Sequence, residues 1–137
     1  MEKRPPNIDL FAIRDLAVEA GGKSLLEAVS FSLKAGEVLT IAGPSGLGKS
    51  SLLRILAGLD MAASGSILLD GREPGVWGWP LYRRRVNLLF QKPLLLEMSL
   101  RENLELAFAY ASAESEYPKR RADALLERRD LCVKGRD

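Results

Sequence analysis

The chain has 137 residues, of which 47% are hydrophobic and 28% charged, a composition typical of one soluble globular domain or part of one. A formal net charge of +2 is too small to indicate nucleic-acid binding, and the lack of histidine excludes a histidine-based active site, metal site or pH switch in this chain. The single cysteine, Cys132, excludes an internal disulfide and fits a reducing compartment. The longest uncharged run, residues 38–48, falls well short of the ~20 apolar residues of a membrane span.

Residues 1–8 are predicted to form a flexible lead, and the alternating or apolar runs that follow predict short strands. The predicted strands cover residues 10–18, 28–34, 38–42, 66–69 and 86–90. Residues 38–42 are apolar and partly β-branched, which is typical of a buried parallel strand. Turns are predicted at residues 21–23 and 35–37. Residues 72–80, with two glycines and two prolines, are predicted to form a loop.

Three helices are predicted. The first begins near Lys49, because Leu52, Ile55 and Leu56 fall on one helical face, and Gly58 is its predicted C-cap. The other two cover residues 99–111 and 118–131.

The segment Gly-Pro-Ser-Gly-Leu-Gly-Lys-Ser, residues 43–50, fits the phosphate-binding loop pattern and lies between a predicted strand and a predicted helix. Its glycines permit the positive φ angles that turn backbone N–H groups toward phosphate, and the helix N-terminus adds positive charge. Lys49 is predicted to contact the β- and γ-phosphates, and Ser50 to ligate Mg²⁺. The alternative is a glycine-rich turn with an incidental lysine. The predicted nucleotide-binding residues are Gly43, Pro44, Ser45, Gly46, Leu47, Gly48, Lys49, Ser50 and Ser51.

Several segments around this loop together resemble the N-terminal half of an ABC-transporter ATP-binding subunit, from about residue 10 onward. They are residues 28–37, 56–59, 64–67, 70–71, 82–86, 89–93 and 99–104. The sequence Leu-Phe-Gln-Lys-Pro, residues 89–93, resembles the Q-loop of that family. The resemblance implies an α/β fold, a P-loop NTPase core with a mostly parallel sheet and an antiparallel N-terminal β-layer.

The resemblance also implies one partial nucleotide-binding domain over residues 1–137. Within it, residues 1–8 are the lead, residues 10–111 the β-layer and core through the Q-loop, and residues 112–137 the start of a helical subdomain. The implied function is that of an ABC-type ATPase, which binds Mg²⁺ and ATP and couples hydrolysis to transmembrane transport. Lys49 and Gln91 are the implied catalytic residues, and Ser50 and Gln91 the implied metal contacts.

The implied partners are a transmembrane transporter subunit and a second nucleotide-binding subunit, without nucleic acid. The chain would then be cytoplasmic and peripheral on the inner face of the cell membrane. The residues after Gln91 would face the transmembrane partner.

Three departures from the family pattern qualify this function. The chain contains no Leu-Ser-Gly-Gly-Gln signature and no Walker B strand ending in Asp-Glu. Residues 67–70 imitate a Walker B strand, but Gly71 stands where the glutamate is required. We interpret residues 67–70 as a strand that enters a turn. Ala20 stands where the family usually has an aromatic that stacks on adenine. Leu47 is bulkier than usual and is expected to point outward.

We therefore expect the chain alone to bind nucleotide and to hydrolyse it slowly or not at all. The alternatives are a nucleotide-binding fragment without hydrolysis and, less favoured, a small P-loop kinase. Uncovered apolar surface further predicts marginal stability or dependence on a partner.

Two groups of residues outside the loop leave alternatives open. Trp77 and Trp79 either anchor a partner or pack under their own loop. The arginines at 83–85 either bind an anionic partner or form a solvated face, and the second is favoured.

Overall fold

The computed structural model describes residues 9–92, 95–109 and 117–127, and it divides into two compact units, Met1–Leu88 and Leu89–Asp137. Some predicted features lie outside the described residues. They are the lead over residues 1–8, Cys132, and the helical residues 110–111 and 128–131.

The first unit contains a three-stranded antiparallel sheet. Its strands are β1 (Phe11–Ala20), β2 (Lys23–Leu33) and β3 (Ser64–Leu69), in the order β2-β1-β3. Phe11 pairs with Leu33 on one side and with Leu69 on the other, and the register shifts farther along both ladders. Gly21 and Gly22, with φ of 58° and 73°, form the predicted turn between β1 and β2. The predicted antiparallel N-terminal layer is therefore present.

One face of this sheet packs against helix α1 (Lys49–Leu56). Leu52, Ile55 and Leu56 are buried, so the predicted apolar face of the helix is confirmed. Each such side chain contributes about 1.5–3 kcal/mol when fully buried. The buried core consists of Phe11, Ile13, Leu16, Val18, Leu52, Ile55, Leu56, Leu69 and Tyr82.

Residues 72–80 are not the loop that their glycines and prolines predict. They contain helix α2 (Pro74–Trp77) and the start of helix α3 (Trp79–Arg85). A proline lies in the first turn of each helix, where its missing N–H would in any case have no intrahelical partner. The prolines here begin helices rather than prevent them.

Helix α3 supplies hydrogen-bond donors to the C-terminal end of α1. The Tyr82 hydroxyl donates to the Leu56 carbonyl at 2.5 Å, and Arg83 Nε donates to the Gly58 carbonyl at 2.8 Å. Carbonyls at a helix end have no partner within the helix, so these contacts satisfy groups that burial would otherwise leave unpaired. They hold in place the helix whose other end adjoins the glycine-rich loop.

The strands predicted over residues 38–42 and 86–90 are not formed in the described part of the chain. A strand requires a hydrogen-bonded neighbour, and among the described residues every ladder joins β1 to β2 or to β3. Val38 is accordingly 92% exposed. The apolar pattern identified segments suited to a parallel sheet, but pairing partners decide whether such a sheet forms.

In the second unit, α4 (Leu100–Ala109) and α5 (Lys119–Glu127) lie within the two predicted helical stretches. Ser99 and Glu102 form a capping box at the start of α4: the Glu102 N–H donates to Ser99 Oγ at 3.2 Å, and the Ser99 N–H donates to Glu102 Oε2 at 2.7 Å. The hydrogen bonds from Ser99 lower the pKa of the Glu102 carboxyl. Arg101 pairs with Asp123 at 3.0 Å and joins the two helices. Within the described ranges, the helices lack the length and apolar content needed to cross a bilayer.

Candidate phosphate-binding site

The backbone of residues 43–48 turns through three glycines with positive φ. Gly43, Gly46 and Gly48 have φ of 153°, 87° and 82°, angles that side-chain-bearing residues rarely adopt. No side-chain atom beyond Cα stands at these positions, so a ligand can approach the backbone closely. The positive φ angles predicted for these glycines are therefore observed.

Lys49 folds back over this loop. Its Nζ donates to the Gly43 carbonyl at 2.8 Å and to the Pro44 carbonyl at 2.6 Å. An ammonium group has three donors, so a further acceptor can be engaged without breaking either bond. The lysine thus closes the loop and places a positive charge beside its backbone.

The loop leads directly into the N-terminus of α1. Gly48 is the N-cap residue, and because it has no side chain, the first N–H groups of the helix receive no cap from it. No acidic residue lies in the first turn. Uncapped N–H groups and the helix dipole together favour an anion at this position.

The serines at the start of α1 differ in exposure. Ser50 is exposed and Ser51 is half-buried, whereas Leu47 is 47% exposed, as its predicted outward orientation requires. An exposed hydroxyl at the second helical position suits a Mg²⁺ ligand, because Mg²⁺ takes oxygen ligands and keeps several of its waters. The Ser50 hydroxyl, the Lys49 ammonium and the N–H groups at the start of α1 therefore fit a Mg²⁺–phosphate group.

The structure brings residues 43–51 together as one loop and helix start within the first unit. Gln91 is exposed and belongs to the second unit. Ala20 is exposed at the end of β1 and pairs with Lys23 across the hairpin.

Residues 67–70 form a strand that enters a turn, which confirms the interpretation of the imitation Walker B run. Residues 67–69 end β3, and Asp70 follows with φ of 50°. The Asp70 N–H donates to the Leu10 carbonyl at 2.9 Å, and its carboxylate lies 3.8 Å from Arg85. The Asp70 carboxylate therefore interacts with Arg85 just after the end of β3.

The two tryptophans pack within their own unit. The Trp77 indole N–H donates to the Leu69 carbonyl at 2.9 Å, and the Arg85 guanidinium lies 4.4 Å from the centre of its ring. Trp79 meets Tyr82 edge to face, with ring centroids 6.1 Å apart. Trp77 is thus half-buried as the packing alternative predicts, whereas Trp79 is 37% exposed.

Two features of the site have no signal in the sequence. Nothing in the spacing of residues 43–50 indicates that Lys49 contacts the carbonyls of Gly43 and Pro44. The approach of Leu25 to Gly48 depends on how β2 packs, which a local pattern cannot specify.

Comparison with known proteins places these features in a family. The model of the family described as "ABC transporter" matches residues 26–133. The spermidine/putrescine import ATP-binding protein PotA of Nitrosospira multiformis is 38% identical over 120 residues, covering 87% of this chain and 32% of that protein. An uncharacterized ABC transporter ATP-binding protein of Thermotoga maritima is 38% identical over 135 residues, covering 93% of this chain and 56% of that protein.

A solved structure of an ATP-binding subunit of an ABC transporter superposes with a TM-score of 0.73 at 33% identity, covering 89% of this chain and 51% of that one. It supports the predicted α/β fold. The chain thus spans about a third of the length of the first curated relatives and about half of this structural neighbour.

Proposed function

The chain belongs to the ABC transporter family, and from this premise we propose that residues 43–51 bind Mg²⁺–ATP in an ATP-binding subunit. The observation that carries the proposal is the continuous arrangement of positive-φ glycines, the Lys49 ammonium and an uncapped helix N-terminus. Each of these recognises phosphate, and together they occupy one short segment.

In the proposed binding mode, backbone N–H groups of the loop and of the α1 N-terminus donate to phosphate oxygens. The Lys49 ammonium uses its free donor, or exchanges one carbonyl partner, to reach the β- and γ-phosphates. The Ser50 hydroxyl holds Mg²⁺, which when bound neutralises part of the phosphate charge. Pro44, which has no backbone N–H, helps to maintain the loop conformation, and Ser45, Leu47 and Ser51 contribute backbone N–H donors.

Coupling to transport is the second part of the proposal. The relatives named above are import or ABC transporter ATP-binding proteins, which supports a membrane-embedded transporter subunit as the partner. We propose that the chain works on the cytoplasmic face of that partner, beside a second nucleotide-binding subunit and without nucleic acid. Gln91 contacts Mg²⁺ or the attacking water in this proposal, as its resemblance to the family Q-loop implies.

Binding without turnover is a second candidate, favoured by the position of Asp70. The run that imitates a Walker B strand ends in a turn, where the Asp70 carboxylate lies 3.8 Å from the Arg85 guanidinium. A carboxylate other than Asp70 would then have to position the attacking water.

Nucleotide binding is tested by titrating the purified chain with ATP and Mg²⁺ in an isothermal calorimeter. Lys49→Ala is expected to weaken binding roughly 10- to 100-fold, the effect of losing one charge-assisted contact. Lys34→Ala, which removes an equal charge from an exposed residue just after β2, is the matched control and is expected to leave binding unchanged.

Two outcomes separate the candidates. Binding that depends on Lys49, with no phosphate released over many binding lifetimes, supports the nucleotide-binding role without turnover. A folded chain that does not bind ATP, or an equal loss in both lysine variants, overturns the assignment of the loop.

A further inference from the structure

The exposed side chains of residues 76–84 form a basic and apolar surface on α2 and α3, here called the α2–α3 surface. The arginines at positions 83 and 84 are both exposed. No acidic residue occurs between Glu73 and Glu97, although the whole chain has a net charge of only +2. Positive charge is therefore concentrated locally, and it attracts an anionic surface over roughly 8 Å at physiological ionic strength.

The α2–α3 surface also carries apolar side chains that are open to solvent. Val76 of α2 is 72% exposed, and Leu81 of α3 is 36% exposed. Leu81 and Arg84 are three residues apart, which places them on the same side of α3, while Tyr82 is buried in the core. Apolar side chains beside guanidiniums on one exposed face are typical of a segment that lies at a membrane–water interface.

Trp79 is held at the edge of this surface by its neighbours. A Cβ atom at Gly58 would lie 3.0 Å from the Trp79 ring, and the Arg83 guanidinium lies 5.6 Å from the ring centre. Arg83 uses its Nε to reach the Gly58 carbonyl, but a guanidinium has five N–H donors, so others remain for a phosphate group. An indole beside such a cation suits the headgroup level of a bilayer.

The surroundings of the two tryptophan rings favour an anionic bilayer over nucleic acid. Single-stranded nucleic acid binds proteins by stacking its bases on open aromatic faces. The guanidiniums of Arg72 and Arg85 lie 5.4 Å and 4.4 Å from the centre of the half-buried Trp77 ring. The Trp79 ring packs against Gly58. Rings with these neighbours are poor platforms for a base, whereas exposed aliphatic side chains are stabilised when they leave water for a bilayer.

We propose that the α2–α3 surface binds the anionic headgroup region of a lipid bilayer. The two arginines contact lipid phosphates, and the exposed apolar side chains at positions 76, 79 and 81 enter the interface beside them. This contact needs neither nucleotide nor a transmembrane subunit. The inference is therefore independent of the function proposed for residues 43–51.

The test measures co-sedimentation of the purified full chain with lipid vesicles. Vesicles of phosphatidylcholine with about 30% phosphatidylglycerol are compared with vesicles of phosphatidylcholine alone. We expect binding to the anionic vesicles to be roughly tenfold tighter or more, and to weaken as the NaCl concentration rises from about 0.1 M to about 0.5 M.

The fluorescence of Trp79 shows whether the apolar side chains enter the bilayer. The chain has two tryptophans, so a Trp77→Phe background leaves Trp79 as the single indole. Its emission is expected to shift to shorter wavelength on vesicle binding and to be quenched by brominated phosphatidylcholine, because the ring moves from water into the interface.

Two pairs of matched variants separate the contribution of charge from that of apolar contact. Arg84→Glu is expected to weaken vesicle binding roughly fivefold or more, whereas Arg14→Glu, at an exposed position of β1, should change it less than about twofold. Val76→Ser is expected to weaken binding roughly threefold or more, whereas Val38→Ser, at a valine that is 92% exposed outside this surface, should leave it unchanged.

Circular dichroism first establishes that each variant is folded, and Arg84→Gln replaces Arg84→Glu if the charge reversal prevents folding. A folded wild-type chain that ignores anionic vesicles, or that binds neutral ones equally well, overturns the proposal. So do equal losses within a matched pair, and vesicle binding without a change in Trp79 emission. Binding of a labelled single-stranded oligonucleotide that is tighter than vesicle binding and is lost in Arg84→Glu would assign the surface to nucleic acid instead.

Discussion

A Cβ atom at Gly48 would lie 2.9 Å from the Cβ of Leu25 in β2. Real Cβ atoms do not approach so closely, and Gly48 also has φ of 82°. Two independent constraints, one from the backbone and one from the neighbouring strand, therefore act on the same glycine. The antiparallel sheet thus helps to determine which residue can end the candidate phosphate loop.

Gly48→Ala is expected to destabilise the chain more than Gly46→Ala. Gly46 has φ of 87° but nothing within 4 Å of its Cβ position, so its substitution costs only the left-handed strain, about 1–2 kcal/mol. Gly48→Ala adds the overlap with Leu25, typically 1–3 kcal/mol of overpacking. Urea unfolding of both variants gives the difference in free energy of unfolding.

A double variant isolates the contact with β2. Leu25→Ser keeps a Cβ atom at position 25 but removes the Cδ1 atom that lies 3.3 Å from the Gly48 Cβ position. Part of the additional cost of Gly48→Ala should therefore disappear in the Leu25→Ser background. Equal costs for Gly46→Ala and Gly48→Ala would show that Leu25 moves away freely.

Ser50→Ala is expected to weaken ATP binding about tenfold in the presence of Mg²⁺ and to leave it unchanged in EDTA. The reason is that the exposed Ser50 hydroxyl is the proposed metal ligand, whereas the backbone donors of the loop bind phosphate directly. Calorimetric titrations with and without EDTA provide the measurement, and Ser32→Ala, which removes an exposed hydroxyl from β2, is the control. A loss that persists in EDTA would assign Ser50 to phosphate rather than to the metal.

The sequence predicts those parts of the fold that depend on local chemistry. The turn at Gly21 and Gly22 and the buried face of α1 follow from residue type and spacing, and both are observed. The glycines of residues 43–48 adopt the positive φ angles that their pattern requires. These features need no knowledge of distant partners.

Features that depend on distant partners are those that the sequence predicts poorly. Residues 38–42 have strand-like alternation, but a ladder needs a neighbour that no local window supplies. Pro74 and Pro80 predict a loop by residue type, although proline is equally typical of a first helical turn. Their helical role becomes evident only when Trp77 and Tyr82 find partners in β3 and α1.

Ala20→Tyr is expected to strengthen ATP binding. Ala20 is exposed at the end of β1, at the position where the resemblance implies an aromatic that stacks on adenine. Stacking of a base on an aromatic side chain contributes ~1–3 kcal/mol, which corresponds to roughly 5- to 150-fold in affinity. Glu19→Tyr, one residue earlier in the strand, places the same ring on the opposite face and serves as the control.

Base selectivity distinguishes stacking from general hydrophobic contact. The gain from Ala20→Tyr should be absent with inorganic triphosphate, which has no base. A gain of equal size with triphosphate, or with Glu19→Tyr, would contradict adenine stacking at this position.

Tyr82→Phe tests the junction between α3 and α1 through the dependence of stability on pH. Burial raises the pKa of Tyr82 to about 12, compared with about 10 for tyrosine in an unfolded chain. Between these values the unfolded state loses the proton that the folded state keeps, so the free energy of unfolding falls as pH rises.

At neutral pH the variant should be less stable by about 1 kcal/mol, because the hydrogen bond to the Leu56 carbonyl is lost. Urea unfolding from pH 8 to pH 11 should show this difference in free energy of unfolding narrowing above about pH 10, since only the wild-type chain carries a phenol at position 82. Parallel curves for the two proteins would mean that Tyr82 titrates normally and that its burial against α1 is not maintained in solution.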